Sequence, residues 1–517
     1  MIPHIKIRIW YLFNKKINFR DTINLYKRIE RKLIVNEISL KKFLTYIYSV
    51  YDIGEKFNKL ERISNKNLKV RPKTKASTGA KMIMLGCLCN HSSINELNVT
   101  THDKNTSLRN FFSKKEYIPK THGLRDCVIE TDYNQLVDIN NYVINKAKEN
   151  KFFKKNLVDG LSVCAWDGVE LCETSKEIDN LPEREHENGE IKKYIKYLCA
   201  MNVGSRANIV IATKQMTEKE KALTKSGKQK AKTFGETTAM LEMIPIVEEK
   251  IGIIIDVHVM DALYLNKNIM EAINKRNEYF IIRMEDDTKL IYKDAKGLFD
   301  KSKAKTEYEV VEIIEEINVK YSKKAKHKDY SKTKIGQKER QVTDKKIGEK
   351  IYVDTKQTIK KNSLKTIKIY ERVIKKVKTW DDKFEFSTYD GSVRVVKSVE
   401  KYWHEGKEKE QEIYIATNML NHSVRTIIKI MHLRWNIENC GFRKLKQQYN
   451  LEHIFIGEFN AINYIFQMII LVSNLLEMYF KIRLKVAMKY TYIMLKKIFE
   501  KEIQITERIG DYLMGIP

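Results

Sequence analysis

The run "IGIIIDVHVMD" (251–261) limits the folds open to this chain more than any other segment. Its apolar residues are almost continuous, which is typical of a strand buried on both faces of a sheet. The pattern "GETTAMLEMIPIVEEKI" before it predicts a helix, and "NKNIMEAINKRN" after it predicts another, followed by a strand at "EYFIIRM". We therefore predict an α/β core, because strands that alternate with helices build sheets covered by helices.

The rest of the chain can be arranged around this core. The segment "GLSVCAWDGVELCE" (160–173) predicts a first strand with a turn at Asp167-Gly168, and "RANIVIAT" (206–213) predicts a further strand. Residues before the core have helical periodicity, and a Thr-, Val- and Tyr-rich run interrupts it. The predicted organisation is a basic helical region at 1–155, a core at 156–289 and 412–480, a β-rich insertion at 290–411 and a helical segment at 481–517.

The charge of the chain points to a polyanionic partner. The formal net charge is +29 and the isoelectric point is about 9.5. Residues 301–380 hold 24 Lys and Arg against 11 Asp and Glu, which is nearly half of that excess. Nucleic acid is the commonest polyanion bound by proteins of this kind, and the insertion is therefore expected to face DNA.

Location follows from apolar segments and cysteines. The most apolar segment starts at Tyr464, but it is shorter than a membrane span and contains Gln467, Ser473 and Asn474, so it predicts a buried helix and no membrane partner. The seven cysteines are odd in number and lack zinc-site spacing. Free thiols in a reducing cytoplasm are the expectation.

Two aspartates are placed where α/β sheets carry functional groups. Asp167 is expected where a strand meets a turn, and Asp261 closes the apolar strand. Taken singly, each is also explained as a turn former or helix cap. Asp256 is a competing carboxylate inside the predicted strand.

A third acid, Glu438, lies in the basic segment "LRWNIENCGFRKLKQ" (433–447). Arg434 precedes it by four residues on the same helix face, and an exposed ion pair is the simplest explanation. Trp435 and Phe442, however, indicate a half-buried helix. A carboxylate there needs a strong partner, such as a metal ion.

Five motifs in order carry a family resemblance: "AWDGVEL", "FGETTAMLEMI", "HVMDALYLNK", "EIYIATNM" and "LRWNIENCGFRKLK". With them the chain resembles the DDE transposases of bacterial insertion sequences. The similar subgroup is marked by a Tyr-Arg-Glu-Lys signature on the helix of the last acid and by a β-strand insertion before it. The resemblance covers about 160–285 and 400–455.

The resemblance implies a ribonuclease H-like fold, which is a mixed sheet with helices on both faces, interrupted here by the insertion. It also implies that Asp167, Asp261 and Glu438 are catalytic and bind two Mg²⁺ ions, for which Mn²⁺ can substitute. Arg434 and Lys446 would contact phosphate. The chain departs from the signature at Met431, where the family has Tyr, and at Leu445, where it has Lys; Lys446 lies about 80° round an ideal helix from Glu438.

The function implied is cut-and-paste transposition in the bacterial nucleoid. The protein would bind the terminal inverted repeats of its element through the 1–155 region, cleave double-stranded DNA and join it to a target, as a homodimer that holds two ends. Two alternatives share these residues. One is a DNA-binding relic that has lost activity, and the other is a nuclease without strand transfer.

Overall fold

A computed structural model provides the three-dimensional structure of this protein. The residues that it describes are 39–63, 73–103, 106–217, 222–223, 229–230, 235–285, 290–300, 305–307, 339–343, 350–354, 372–386, 389–404, 407–484 and 492–504.

The described part of the N-terminal region is helical, as its periodicity predicts. The first helix begins after Ser39, whose side chain accepts a hydrogen bond from the Lys42 amide at 3.1 Å, a common helix cap. The apolar faces of these helices pack together in a buried core. The helices are α1 (Leu40–Tyr51), α2 (Ile53–Asn58), α3 (Ala76–Leu88), α4 (Ile94–His102), α5 (Thr121–Glu130), α6 (Asn134–Glu149) and α7 (Phe152–Lys155).

The centre of the molecule is a mixed sheet with helices between its later strands. In chain order the elements are β1 (Val163–Thr174), β2 (Ile191–Val203), β3 (Asn208–Gln215), α8 (Glu236–Ile251), β4 (Val257–Met260), α9 (Lys267–Asn274) and β5 (Tyr279–Met284).

These strands lie in the order β3-β2-β1-β4-β5. The pairs β1-β2 and β2-β3 are antiparallel, whereas β1-β4 and β4-β5 are parallel. The parallel register pairs Val163 with Val257 and Ala165 with Val259. This half-antiparallel, half-parallel sheet flanked by helices is the ribonuclease H-like architecture, and the predicted fold class is confirmed.

The insertion extends this same sheet. Its last strand, β9 (Lys407–Thr417), pairs antiparallel with β5. Beyond β9 the sheet continues with β8 (Tyr389–His404), β7 (Arg372–Phe386) and β6 (Lys305–Glu307), in that order. A helix, α10 (Leu290–Asp300), begins the range that was predicted to be β-rich, and 339–343 pairs with 350–354 in a separate hairpin. Much of the basic stretch 301–380 lies outside the described residues.

Helices complete the described chain after β9. They pack on the sheet and on the N-terminal helices, and two short stretches, Ile437–Phe442 and Met478–Arg483, have π-helical hydrogen bonding. The helices are α11 (Val424–Leu433), α12 (Arg443–Tyr449), α13 (Phe459–Glu477) and α14 (Tyr492–Gln504).

Helix α13 is the buried helix predicted from the apolar segment. The stretch Phe459–Arg483 is long and apolar enough to cross a membrane by composition, but 89% of its most apolar window is buried inside the protein. Its polar side chains dock it on β3: the Asn474 carboxamide oxygen accepts from the Val210 amide at 2.9 Å, and Gln467 donates to Thr213 at 2.8 Å. The polar residues that interrupt the apolar run therefore satisfy neighbouring polar groups. The seven cysteines are free thiols, as predicted.

Two local predictions are wrong. Strand β1 continues through Asp167-Gly168 without a turn, because both residues pair with β2, opposite Cys199 and Leu198. The ladder to a long neighbouring strand outweighs the local turn preference of Asp-Gly. The apolar run 251–261 is extended only from Val257, because α8 reaches Ile251 and ends at Gly252, whose φ of 74° is a helix-terminating conformation that favours glycine.

Candidate active site

Asp167 and Asp261 come together through the parallel register of β1 and β4. Ala165 is paired with Val259, so the same register places Asp167 level with Asp261, two residues further along each strand. One oxygen of each carboxylate is held by a nearby backbone amide. Asp167 accepts from Gly168 at 2.9 Å, and Asp261 accepts from Leu263 at 2.9 Å, capping a short 3₁₀ turn. Asp261 therefore serves as a cap and also faces the cluster.

Asp256 lies at the other end of β4 and accepts from the Ser162 amide at 2.7 Å. It thus supports the start of β1, away from Asp167. Of the two carboxylates considered from the sequence, the structure places Asp261 beside Asp167.

Arg434 lies between Glu438 and Asp167. The Arg434 Nη1 atom lies 2.8 Å from Glu438 Oε1 and 3.9 Å from Asp167 Oδ2. Arg434 is only 5% exposed, whereas the Glu438 side chain is 47% exposed. An exposed surface pair does not describe this geometry, because the guanidinium is buried between two carboxylates that come from different elements.

The helix that carries Glu438 is not regular. The segment Ile437–Phe442 is π-helical and packs against β1, β2 and β3. Inserted π turns are frequent at functional sites, and they change the angle between residues on either side. Rotation by 100° per residue therefore does not hold between Glu438 and Lys446.

Lys446 is directed elsewhere in this structure. Its Nζ lies 2.9 Å from Glu452 Oε1. The pKa of Glu170 on β1 is lowered chiefly by a hydrogen bond from Arg184, and the charges of Lys196 and Lys446 lower it further. Lys446 is therefore near the later part of β1. Met431, at the position of the signature Tyr, is buried in α11. Of the two basic residues expected at the site, the structure brings Arg434 to the acids.

The electrostatics of the cluster show crowded carboxylates. The pKa of Asp167 is raised to about 7, first by burial and then by the charge of Asp261, against the lowering effect of Arg434. Glu438 and Glu236 add smaller increases. The pKa of Asp261 is also raised, first by burial, while its bond from Leu263 and the charge of Arg434 act in the opposite direction.

Sequence reasoning missed Glu236. This residue begins α8, and its side chain is 11% exposed. Its Oε1 lies 2.7 Å from Lys196 Nζ on β2, and its Oε2 accepts from the Tyr264 hydroxyl at 2.6 Å. The motif "FGETTAMLEMI" contained this acid, but a glutamate at a helix start has an ordinary explanation, and only the tertiary structure places it at the site.

The donor set suits a hard divalent cation, because all three proposed ligands are carboxylates. Among the described residues, no three His, Cys, Asp or Glu side chains are already close enough to hold a metal ion together. Arg434 instead supplies positive charge between Asp167 and Glu438. Its Nε atom is buried without a hydrogen-bond partner in the described part of the chain. A buried guanidinium held between two carboxylates indicates a place that favours positive charge.

The fold and the acids together define a class of protein. A ribonuclease H-like sheet with one aspartate within β1, a second directly after the neighbouring β4, and a glutamate on a later helix, is the framework expected of a DDE enzyme. The family model of the transposase DDE domain matches residues 203–475, more than half of the chain. The chain belongs to the DDE transposase family. The matched region includes Asp261 and Glu438 and begins after Asp167, whose place at the site depends on the sheet register.

Comparison with solved structures gives a similar protein in the cryo-EM structure of the piggyBac transposase synaptic complex with hairpin DNA. The similarity covers 92% of this chain and 85% of that chain, at 8% sequence identity and a TM-score of 0.39. No curated protein sequence matches the chain.

Proposed function

We propose that this protein is the transposase of a bacterial insertion sequence, which binds the terminal inverted repeats of that element, cuts there and joins the ends to a target. The observation that supports this most strongly is that Asp167 lies level with Asp261, which directly follows the neighbouring strand, while the buried Arg434 lies between Asp167 and Glu438. These acids are 94 and 177 residues apart in the chain and come from β1, from the residue that follows β4 and from a helical segment. Family membership supplies the reaction class.

Asp167, Asp261 and Glu438 would hold two Mg²⁺ or Mn²⁺ ions, which when bound would activate the attacking oxygen and stabilise the leaving oxygen of a phosphodiester. The protein contributes orientation. Backbone amides fix one oxygen of each aspartate, and Arg434 holds Glu438 toward Asp167. Arg434 also offsets repulsion among the acids, a role added to the phosphate contact proposed from the sequence.

The proposed reaction has two displacements at phosphorus. In the first, water attacks at the element end, a new P–O bond forms, and the 3′ oxygen leaves as a hydroxyl. In the second, that 3′ hydroxyl attacks a target phosphodiester, its proton is released, and the target's own 3′ oxygen leaves. Neither displacement requires a covalent bond to the protein.

Double-stranded DNA is the proposed partner, at the element ends and at the target. The net charge of +29 would draw the phosphate backbone toward the protein. We propose a homodimer for the synaptic complex, because two element ends must be held at once. Lys446 lies near Glu170 in the later part of β1 and would contact phosphate there by exchanging its ion pair with Glu452 for one with the DNA backbone.

The test uses the full-length protein, a supercoiled plasmid carrying the DNA that flanks its own gene, and a second plasmid as target. Cutting and joining are followed on gels with Mg²⁺ and with EDTA. We expect Glu438→Gln to reduce cleavage at least ~100-fold while DNA binding persists, since loss of a neighbour of a metal ligand already costs 10- to 100-fold. Glu271→Gln is the matched control, because Glu271 is a carboxylate that forms an i, i+4 pair with Lys267 on a different helix, α9.

The products separate the alternatives. Joined products support the transposase, whereas cut but unjoined DNA would identify a nuclease. Binding without Mg²⁺-dependent cutting by the wild-type protein would identify a relic and refute the proposal. Cleavage by Glu438→Gln at the rate of the Glu271→Gln control would remove Glu438 from the mechanism.

A further inference from the structure

Glu236 is a fourth carboxylate directed at the candidate site. A Cβ atom on Gly168, the residue after Asp167, would lie 2.4 Å from Glu236 Oε1 and 2.5 Å from Glu236 Cδ. The carboxylate therefore lies directly against the backbone of β1, in space that only glycine leaves open. The closeness of Asp167 and Glu236 depends on this glycine.

The other contacts of Glu236 connect it to Asp261. The Tyr264 hydroxyl that donates to Glu236 belongs to the short 3₁₀ turn Ala262–Tyr264, which Asp261 caps. Tyr264 is fully buried, so this hydroxyl has a fixed position. Glu236 thus lies against Gly168, the residue next to Asp167. It is also connected to Asp261 by Tyr264, which belongs to the turn that Asp261 caps.

A role as a helix-start acid does not account for these contacts. A glutamate in the first turn of a helix interacts favourably with the helix dipole while remaining in solvent. Glu236 is instead nearly buried, and Lys196 from β2 and Tyr264 each hold one of its oxygens. Burial of a carboxylate is costly and requires such partners, so the position implies a use for the charge.

We propose that Glu236 is a positioning carboxylate of the metal centre, which strengthens divalent-cation binding by Asp167, Asp261 and Glu438 without being one of these three ligands. Both of its oxygens are engaged, so its effect is exerted through the placement of β1 and of the turn after Asp261, and through its negative charge. The inference rests on the proposed function, because it assumes that those three acids bind the cation.

The experiment measures Mn²⁺ binding to the DNA-free, full-length protein by electron paramagnetic resonance. We expect Glu236→Gln to raise the Mn²⁺ dissociation constant about tenfold or more, as residues that orient metal ligands typically do when they are replaced. Glu248→Gln is the matched control, since Glu248 is another paired carboxylate on α8 whose partner is Arg276. It should bind Mn²⁺ like the wild type.

Asp167→Asn separates this inference from the proposed function. If Asp167→Asn binds Mn²⁺ as tightly as the wild type, the three-acid site itself is refuted. If Asp167→Asn loses binding while Glu236→Gln keeps the wild-type dissociation constant, only the role of Glu236 is refuted. A purely structural Glu236 would lower the melting temperature without changing the dissociation constant, which also refutes the proposal.

Tyr264→Phe provides a second variant in case Glu236→Gln does not fold. It removes only the hydroxyl that donates to Glu236 and retains the buried ring. We expect a several-fold weaker affinity for Mn²⁺. Unchanged affinity in a folded Tyr264→Phe protein would overturn the inference when Glu236→Gln cannot be measured.

Discussion

Replacing Asp167 with Asn should stabilise the metal-free protein, and the gain should grow with pH. Burial and the neighbouring acids raise the pKa of Asp167 from the ordinary 3.8 to about 7. The folded state therefore binds this proton more tightly than the unfolded state. The free energy of unfolding should fall as pH rises from about 4 to about 7, because Asp167 must ionise among other carboxylates.

The size of the effect follows from the pKa change. One pKa unit corresponds to about 1.36 kcal/mol, so a rise of about three units costs the ionised state up to about 4 kcal/mol. About two of those units lie between pH 5 and pH 7, or roughly 2.7 kcal/mol. Asparagine carries no charge at either pH, and its oxygen can still accept from Gly168. The advantage of Asp167→Asn over the wild type should therefore increase by roughly 2–3 kcal/mol from pH 5 to pH 8.

The assay is urea unfolding in EDTA at pH 5 and pH 8, followed by tryptophan fluorescence, because Trp166 is fully buried next to Asp167. Asp256→Asn is the control at the other end of β4, where the carboxylate accepts from Ser162, and it should show no such increase. Mn²⁺ should then stabilise the wild type and not Asp167→Asn, because a ligand stabilises only the state that binds it. Asp167→Asn could instead be more stable than the wild type by the same amount at both pH values, or less stable than the wild type at pH 8. Either result would refute the inference that Asp167 is crowded by other carboxylates.

Two further substitutions test the surroundings of the acids. Arg434→Met removes the cation that lowers the pKa of Asp167 and Asp261, the two aspartates of the candidate site. The pH at which Mn²⁺ binding is half-maximal should therefore move upward. An unchanged or lower midpoint in Mn²⁺ titrations from pH 6 to 9 would contradict this role. Gly168→Ala should cost about 1–3 kcal/mol in urea unfolding and weaken Mn²⁺ binding, because the added methyl group must displace Glu236. Gly297→Ala, where a Cβ would meet open space, is its control, and equal effects of the two would argue against the close approach.

The three acids could be proposed from the sequence because Asp261 and Glu438 each lie in a local pattern with its own meaning, and Asp167 lies in one of the motifs of the family resemblance. The sequence itself contains the apolar run before Asp261 and the pattern of a half-buried basic helix around Glu438, and neither depends on which element packs against it. The α/β class and the buried helix from Phe459 follow from periodicity and length in the same way, since these depend on neighbouring residues in the chain. The family model that covers Asp261 and Glu438 agrees with the family inferred from these motifs.

Contacts between distant segments decided the rest. Pairing with β2 kept Asp167 in a continuous strand despite its Asp-Gly turn signal, and Gly252 ended α8 inside a run that looked like strand. A π-helical stretch interrupts the helix between Glu438 and Lys446, and Lys446 is paired with Glu452. The burial of Arg434 between two acids and the approach of Glu236 over Gly168 have no local signature, because each depends on packing between elements far apart in the chain. Charge and burial at the site are properties of that packing, so the tertiary structure alone determines them.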